Sequence, residues 1–224
     1  MRQTKTLAIT LRRTNFGEAD RIVNFLTPSG KISAVARGVR RQKSKLAGGI
    51  EVFAINEVVF MTGKSEMKTL ISARMKEFFG EIVKDLDRTE FAYSAIKQIS
   101  NACEHIESVE FFEILRTVFV SLNDFSIDLN LTRKWFELRL ATAVGEEINL
   151  EIDQNGDILR ADSRYNFDPY DKVFVLAEHG EFNANHIKFL RLMASSEPRI
   201  LAKINGAQQI LSEVSMILAS LSGR

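Results

Sequence analysis

The sequence predicts an α+β protein of two domains: a small antiparallel β-barrel over residues 1–79, then an α-helical domain over residues 80–224 with a β insert at about 147–176. Three observations point to it. Five short β-rich segments crowd into the first part of the chain with no good amphipathic helix among them, and closing into a barrel leaves such strands no open edge. After Phe78-Phe79-Gly80 the apolar period lengthens to that of helices. Charge divides along the same line: residues 1–80 hold 15 Lys and Arg against 6 Asp and Glu, a balance of +9, while 81–224 hold 15 against 23, a balance of −8, in a chain whose total is only +1. A basic head on an acidic body suggests two surfaces with two kinds of partner.

The elements follow in order. Lys5 to Arg13 alternates and is rich in β-formers, running into a turn at Asn15-Phe16-Gly17. Asp20–Thr27, Lys31–Ala36, Ile50–Met61 and Lys68–Arg74 are the next four strands, punctuated by turns at Pro28-Ser29-Gly30 and Thr62-Gly63-Lys64. Five strands in this order suit a barrel of the OB type. Beyond it, Asp87 with Glu90 reads as a capping box for a helix through about Cys103. Phe112, Leu115, Phe119 and Leu122 share one face of a helix over Val109–Leu122, and Phe136, Leu140 and Val144 share a face over Thr132–Val144, which Gly145 ends. Between Glu147 and Leu176, Asn155-Gly156 reads as the tip of a hairpin, with a third strand at Lys172–Leu176. A last helix carries Ile210, Val214, Ile217, Leu218 and Leu221, a stripe best read as core packing.

Composition narrows the function classes. With 45% hydrophobic and 26% charged residues, the chain can bury a substantial core. It has no apolar run of the ~18–20 residues that span a bilayer and no signal-peptide apolar segment, which predicts a cytosolic protein without membrane partners. One cysteine, Cys103, forbids an intramolecular disulfide and a multi-cysteine zinc site. Cys103 and His105 stand two apart, a spacing that points them in different directions on a helix, and no second pair is available for nucleophilic catalysis. His179 and His186 lack further ligands, and no G-x-x-x-x-G-K-[ST] loop cradles a nucleotide phosphate. The expectation is a protein that is not an enzyme and takes no cofactor and no metal.

The strongest chemical signal is the run Lys31–Lys45. Within Arg37–Lys45 five of nine residues are basic (Arg37, Arg40, Arg41, Lys43 and Lys45) and none is acidic. Such density suits a polyanion. Arg12, Arg13, Arg21 and Lys31 lie in the same basic head and complete the candidate set. If about five of these cations contact one strand, the salt slope is about −3.5, roughly a hundredfold loss of affinity from 50 to 200 mM salt. Residues 1–80 contain no Trp and no Tyr, and Phe25, Phe53 and Phe60 fall in strands where burial is the simpler explanation. Phe16 alone is placed for stacking, and a structural role is the simpler reading for it too. The interface is therefore expected to hold backbone and leave bases free to pair.

Gly17 to Arg41, reading G-E-A-D-R-I-V-N-F-L-T-P-S-G-K-I-S-A-V-A-R-G-V-R-R, with Lys43-Ser44-Lys45-Leu46-Ala47-Gly48 after it, resembles the N-terminal signature of the bacterial recombination mediator family RecO. Phe136-Glu-Leu-Arg-Leu and Gly145 resemble the family's helix leading to its zinc-binding insert. The resemblance implies an OB fold followed by a helical domain in a non-enzymatic DNA repair protein. Such a protein binds single- and double-stranded DNA, anneals complementary strands and, with its partner RecR, helps load RecA onto DNA coated by single-strand-binding protein. It implies a cytoplasmic, nucleoid-associated protein whose helical body receives the acidic C-terminal tail of the single-strand-binding protein. By position, DNA contact falls on the nine cations named above. One departure is plain: the family's four-cysteine zinc site has no counterpart, because residues 148–174 contain no cysteine. The rival readings are an OB-fold RNA-binding or translation-associated module with an interaction domain, and a scaffold whose basic loop is incidental.

Overall fold

A computed structural model describes residues 2–62 and 67–221, so the expected turn at Thr62-Gly63-Lys64 falls largely outside the described residues. The chain forms two compact units, Met1–Asn123 and Asp124–Arg224. The strand-to-helix change sits where the sequence places its domain boundary, but the first two helices group with the barrel, so compactness divides the chain later.

In the first unit five strands close a barrel: β1 (Arg2–Phe16), β2 (Asp20–Thr27), β3 (Gly30–Ala36), β4 (Ala54–Thr62) and β5 (Lys68–Phe78). Their order around the barrel is β1-β2-β3-β5-β4, with β3 and β5 parallel through Ala34–Lys68 and Val35–Thr69 and all other pairs antiparallel. This is the order of an OB fold. The two-fold alternation of the strands sends Ala8, Val23, Phe25, Ala34, Ala36, Val58, Phe60 and Leu70 inward, where Phe25 meets Phe60 edge-on at 5.6 Å. A bulge between Thr10 and Arg12 shifts the register of β1, so that Leu11 is buried while Arg12, Thr14 and Phe16 are exposed.

The segment from Arg37 to Phe53 contains one 3-10 turn, Ala47–Ile50, and no strand; the strand expected from Ile50 begins only at Ala54. Phe53 is responsible for the late start. It takes a left-handed conformation, φ 55°, which turns its ring away from the barrel interior to meet Tyr93 at 4.9 Å and Phe119 at 5.6 Å. A bulky residue at positive φ is strained, and this aromatic packing offsets the strain.

Helix α1 (Leu86–Ala102) is capped by Asp85, whose carboxylate accepts the Arg88 N–H at 2.8 Å. The expected Asp87–Glu90 capping box is thus displaced by two residues, because Asp85 is the last residue with extended backbone and Asp87 already lies in the first turn. Helix α2 (Glu110–Asn123) buries Phe112, Leu115, Phe119 and Leu122 as the spacing requires. Arg88, itself buried, reaches back to donate to the carbonyls of Leu122 at 2.9 Å and Ser121 at 3.5 Å, which are among the orphaned acceptors of the α2 terminus.

The second unit holds α3 (Leu129–Ala143), β6 (Tyr165–Asp168), β7 (Val173–Leu176), α4 (Ala184–Ser195), α5 (Pro198–Leu201), α6 (Ala207–Glu213) and α7 (Ser215–Ala219). The expected last helix is broken at Val214, whose φ −91° and ψ 4° are not helical, although Val214, Ile217 and Leu218 are all buried. The apolar stripe of α3 runs through Leu131, Trp135, Phe136 and Leu138, not through Leu140 and Val144. The Asn155-Gly156 hairpin is reduced to one bridge, Ile152–Ile158, and the two strands that do form are β6, which the sequence reading omits, and β7.

No helix among the described residues is long and apolar enough to cross a membrane.

Candidate nucleic-acid interface

Strand register places the sequence's basic run. Phe16 pairs with Asp20, and Arg21 pairs with Ala36, so the turn of the β1–β2 hairpin and the exit of β3 into the basic loop share one end of the barrel. The loop is anchored there. Val39, 4% exposed, joins the barrel's apolar cluster, so an apolar side chain among five cations acts as a peg. Gly38, at φ 61°, donates its N–H to the Asp20 carboxylate at 2.7 Å, and the Arg40 N–H reaches the Ala19 carbonyl at 2.9 Å. At the loop's far side Gly49 lies so close to β5 that a Cβ would stand 2.4 Å from the backbone of Ala73.

With the backbone tied inward, the charged side chains project outward. Arg37, Arg40, Arg41, Lys43 and Lys45 are all exposed. The Arg40 guanidinium donates to the Gly17 carbonyl at 3.3 Å, which draws the loop over the hairpin turn. Arg12 is exposed on β1, and Arg21 is steadied by the Asn15 side chain at 3.2 Å.

Ion pairing divides the cations of this unit, although Lys68 and Arg74 on β5 and Lys97 on α1 also lack a carboxylate partner among the described residues. Lys5 and Lys76 share Glu57 at 3.1 and 3.5 Å, and the Lys5 hydrogen bond holds that carboxyl below its ordinary range. Arg13 donates to Glu51 at 2.8 Å. Lys31 pairs with Glu104 and lies within reach of the Ser100 hydroxyl and carbonyl, and its hydrogen bond lowers the Glu104 carboxyl. By contrast, Arg12, Arg37, Arg40, Arg41, Lys43 and Lys45 pair with no carboxylate among the described residues.

The structure therefore brings most of the predicted set together and sets two apart. Lys31 stands beside Leu26 near the opposite end of β2 and β3, six residues or about 20 Å along the strand from Arg37, where it fastens the barrel to α1. Arg13 is partly buried in its pair with Glu51 and serves the loop's far side. Neither engagement is readable from sequence, since Glu51 and Glu104 lie far along the chain. Phe16 is the reverse case: read as structural from its position, the residue is 52% exposed.

The catalytic and metal signals come apart. Cys103 and His105 lie in the turn after α1, and burial pushes the Cys103 thiol up, away from nucleophilic use. His186 caps α4, its Nδ1 accepting the Asn183 N–H at 3.0 Å while its Nε2 meets Glu213 at 2.7 Å; Gln209 first and then His186 hold the Glu213 carboxyl low. No group of three or more His, Cys, Asp or Glu is placed to hold a metal among the described residues. The insert has no cysteine to offer zinc, and it is held by other means. Asp153 accepts from the N–H groups of Asn155 at 2.8 Å and Asp157 at 3.1 Å, and Phe174 packs edge-on against Tyr165, Phe167 and Phe182.

An OB barrel whose rim carries a pinned loop of unpaired cations defines the class: an OB-fold protein with a cationic edge. Comparison with known proteins makes this particular. Residues 1–79 match the family described as "Recombination protein O N terminal". The "DNA repair protein RecO" of Roseiflexus sp. (strain RS-1) is 34% identical over 142 residues, 63% of this chain and 50% of that protein, so the aligned stretch spans half of that relative's length. That of Heliobacterium modesticaldum is 28% identical over 97% of this chain and 83% of its own, and that of Acetivibrio thermocellus is 41% identical over 93 residues, 41% of this chain and 37% of its own. The chain is thus similar in its first 79 residues to the recombination protein O N-terminal family, and over most of its length to proteins named DNA repair protein RecO.

Proposed function

We propose that this chain is a recombination mediator that binds single- and double-stranded DNA by its phosphate backbone and promotes pairing of complementary strands, without covalent chemistry. The observation that carries this reading is the density of unpaired cations on the basic loop: Arg37, Arg40, Arg41, Lys43 and Lys45 are all exposed and without a carboxylate partner among the described residues, whereas Lys31 and Arg13 are ion-paired. A cation already neutralised by a carboxylate releases few counterions from DNA, whereas an unpaired one contributes fully. Backbone gripping leaves the Watson–Crick edges of a bound strand free, which suits a protein that brings strands together. Loading of RecA onto DNA coated by single-strand-binding protein, with RecR as partner and the helical unit receiving the tail of the single-strand-binding protein, follows from the family resemblance, as does a cytoplasmic, nucleoid-associated location.

Annealing of complementary oligonucleotides tests it. The full chain accelerates pairing with no ATP present, and accelerates it less for an RNA pair. A protein that binds single strands and slows their pairing contradicts the reading.

A further inference from the structure

Phe16 is the last residue of β1 beside the hairpin turn, 52% exposed, and no other aromatic ring packs on it among the described residues. Beside a loop of cations an exposed phenyl offers a face on which a nucleobase can stack. The bulge in β1 puts Arg12, Thr14 and Phe16 on the outward side, and the register sets Asn24 beside Arg12 and Ile22 beside Thr14. On the next strand Ser33 and Val35 lie opposite Asn24 and Ile22, and Arg37 follows in the same alternation. The outer surface of these three strands is thus a track of modest side chains with Arg12 at one end and Phe16 and the loop cations at the other.

The turn that carries the ring is also tied to the basic loop. Phe16 is paired across the turn with Asp20, which accepts from the Gly38 N–H at 2.7 Å, while Ala19 and Gly17 accept from the backbone and guanidinium of Arg40 at 2.9 and 3.3 Å. An exposed aromatic residue on a turn tied to the cationic loop suits a nucleotide, whose phosphate and base are separated by the sugar and need one partner of each kind.

We propose that Phe16 is a base-stacking residue, so that this interface takes a single strand with an unpaired base in preference to a blunt duplex. The inference rests on the backbone-binding reading above and sharpens its ligand. One ring holds one base and leaves the neighbouring bases free to pair, so stacking here is compatible with annealing. A duplex interior offers no free base face, and the ring adds nothing to its binding.

The test uses the full chain with an oligonucleotide carrying 2-aminopurine, whose fluorescence falls when it stacks on a ring. Phe16→Ala is expected to weaken single-strand affinity by about tenfold and abolish the quenching. Blunt-duplex affinity and the salt slope stay unchanged, because no charge is removed. Phe16→Trp restores both effects and Phe16→Leu does not. Wild-type single-strand affinity and quenching in Phe16→Ala overturn the proposal, as does an equal loss on single strand and duplex, which would mark a structural role at the turn. The triple variant Arg40→Ala, Arg41→Ala, Lys43→Ala separates the two levels. If it fails to weaken any nucleic acid, the interface itself falls; if it weakens binding while Phe16→Ala does not, the interface stands and stacking is rejected.

Discussion

The Asp20 carboxylate accepts the Gly38 backbone N–H at 2.7 Å, tying the start of the basic loop to the hairpin that precedes it. A hydrogen bond to an ionised acceptor is among the stronger local contacts, and here it orders a loop whose like charges repel one another. Asp20→Ala is expected to cost about 1–2 kcal/mol of stability and to raise amide exchange at Gly38 and Arg40. Hydrogen exchange read by mass spectrometry checks it; unchanged protection would mean that the loop's other anchors hold it without Asp20.

Adjacent glycines at the loop's far side are predicted to behave oppositely. A Cβ on Gly49 would stand 2.4 Å from the backbone of Ala73, whereas one on Gly48 meets nothing within 4 Å. Gly49→Ala should therefore destabilise by about 1–3 kcal/mol and Gly48→Ala by a few tenths at most. Denaturant midpoints of the two variants decide it, and equal midpoints would refute the close packing of the loop on β5.

Lys31 provides a control on the interface. Engaged with Glu104 and Ser100, it should contribute nothing to the salt slope, so Lys31→Ala leaves DNA binding unchanged while lowering the thermal midpoint. The pair also predicts an acid response. Glu104's carboxyl is held below its ordinary value of 4.5 by the Lys31 hydrogen bond and charge. A depressed folded-state pKa gives stability that is fully present above that ordinary value and is lost as pH falls through the folded one. Glu104→Gln should flatten the thermal midpoint against pH in that window; a curve parallel to the wild type would show the pair to be inert.

Arg88 closes the α2 terminus from within α1. Arg88→Met keeps much of the stem but leaves the Leu122 and Ser121 carbonyls without this donor, at an expected cost of about 2 kcal/mol. Calorimetric unfolding measures it, and a loss below a few tenths of that figure would show that other groups satisfy the terminus.

Much of the barrel was readable because its signals are local. β2 has the bounds expected of it, since Asp20–Thr27 alternates between two turns rich in Gly, Pro and Ser. Where the outcome hangs on distant partners, the sequence is silent or misleading. Phe53 looks like a strand residue until Tyr93 and Phe119 draw its ring outward. α4 begins with Asn183 and His186 in the roles usually taken by Ser or Thr and Glu, so its cap escapes the ordinary pattern. β6 is only four residues long and half of it, Asn166 and Asp168, is of types that strands disfavour. For the interface, charge density located the loop, but only pairing distances could remove Lys31 and Arg13 from the free set, and only exposure could turn Phe16 from scaffold to candidate contact.

The salt dependence of single-strand binding addresses the central claim most directly. If about five cations contact the strand, wild-type log affinity falls with log salt at a slope of about −3.5, and removing Arg40, Arg41 and Lys43 together leaves about −1.4. A triple variant that retains the wild-type affinity and slope would contradict the assignment of the loop as the DNA-binding edge.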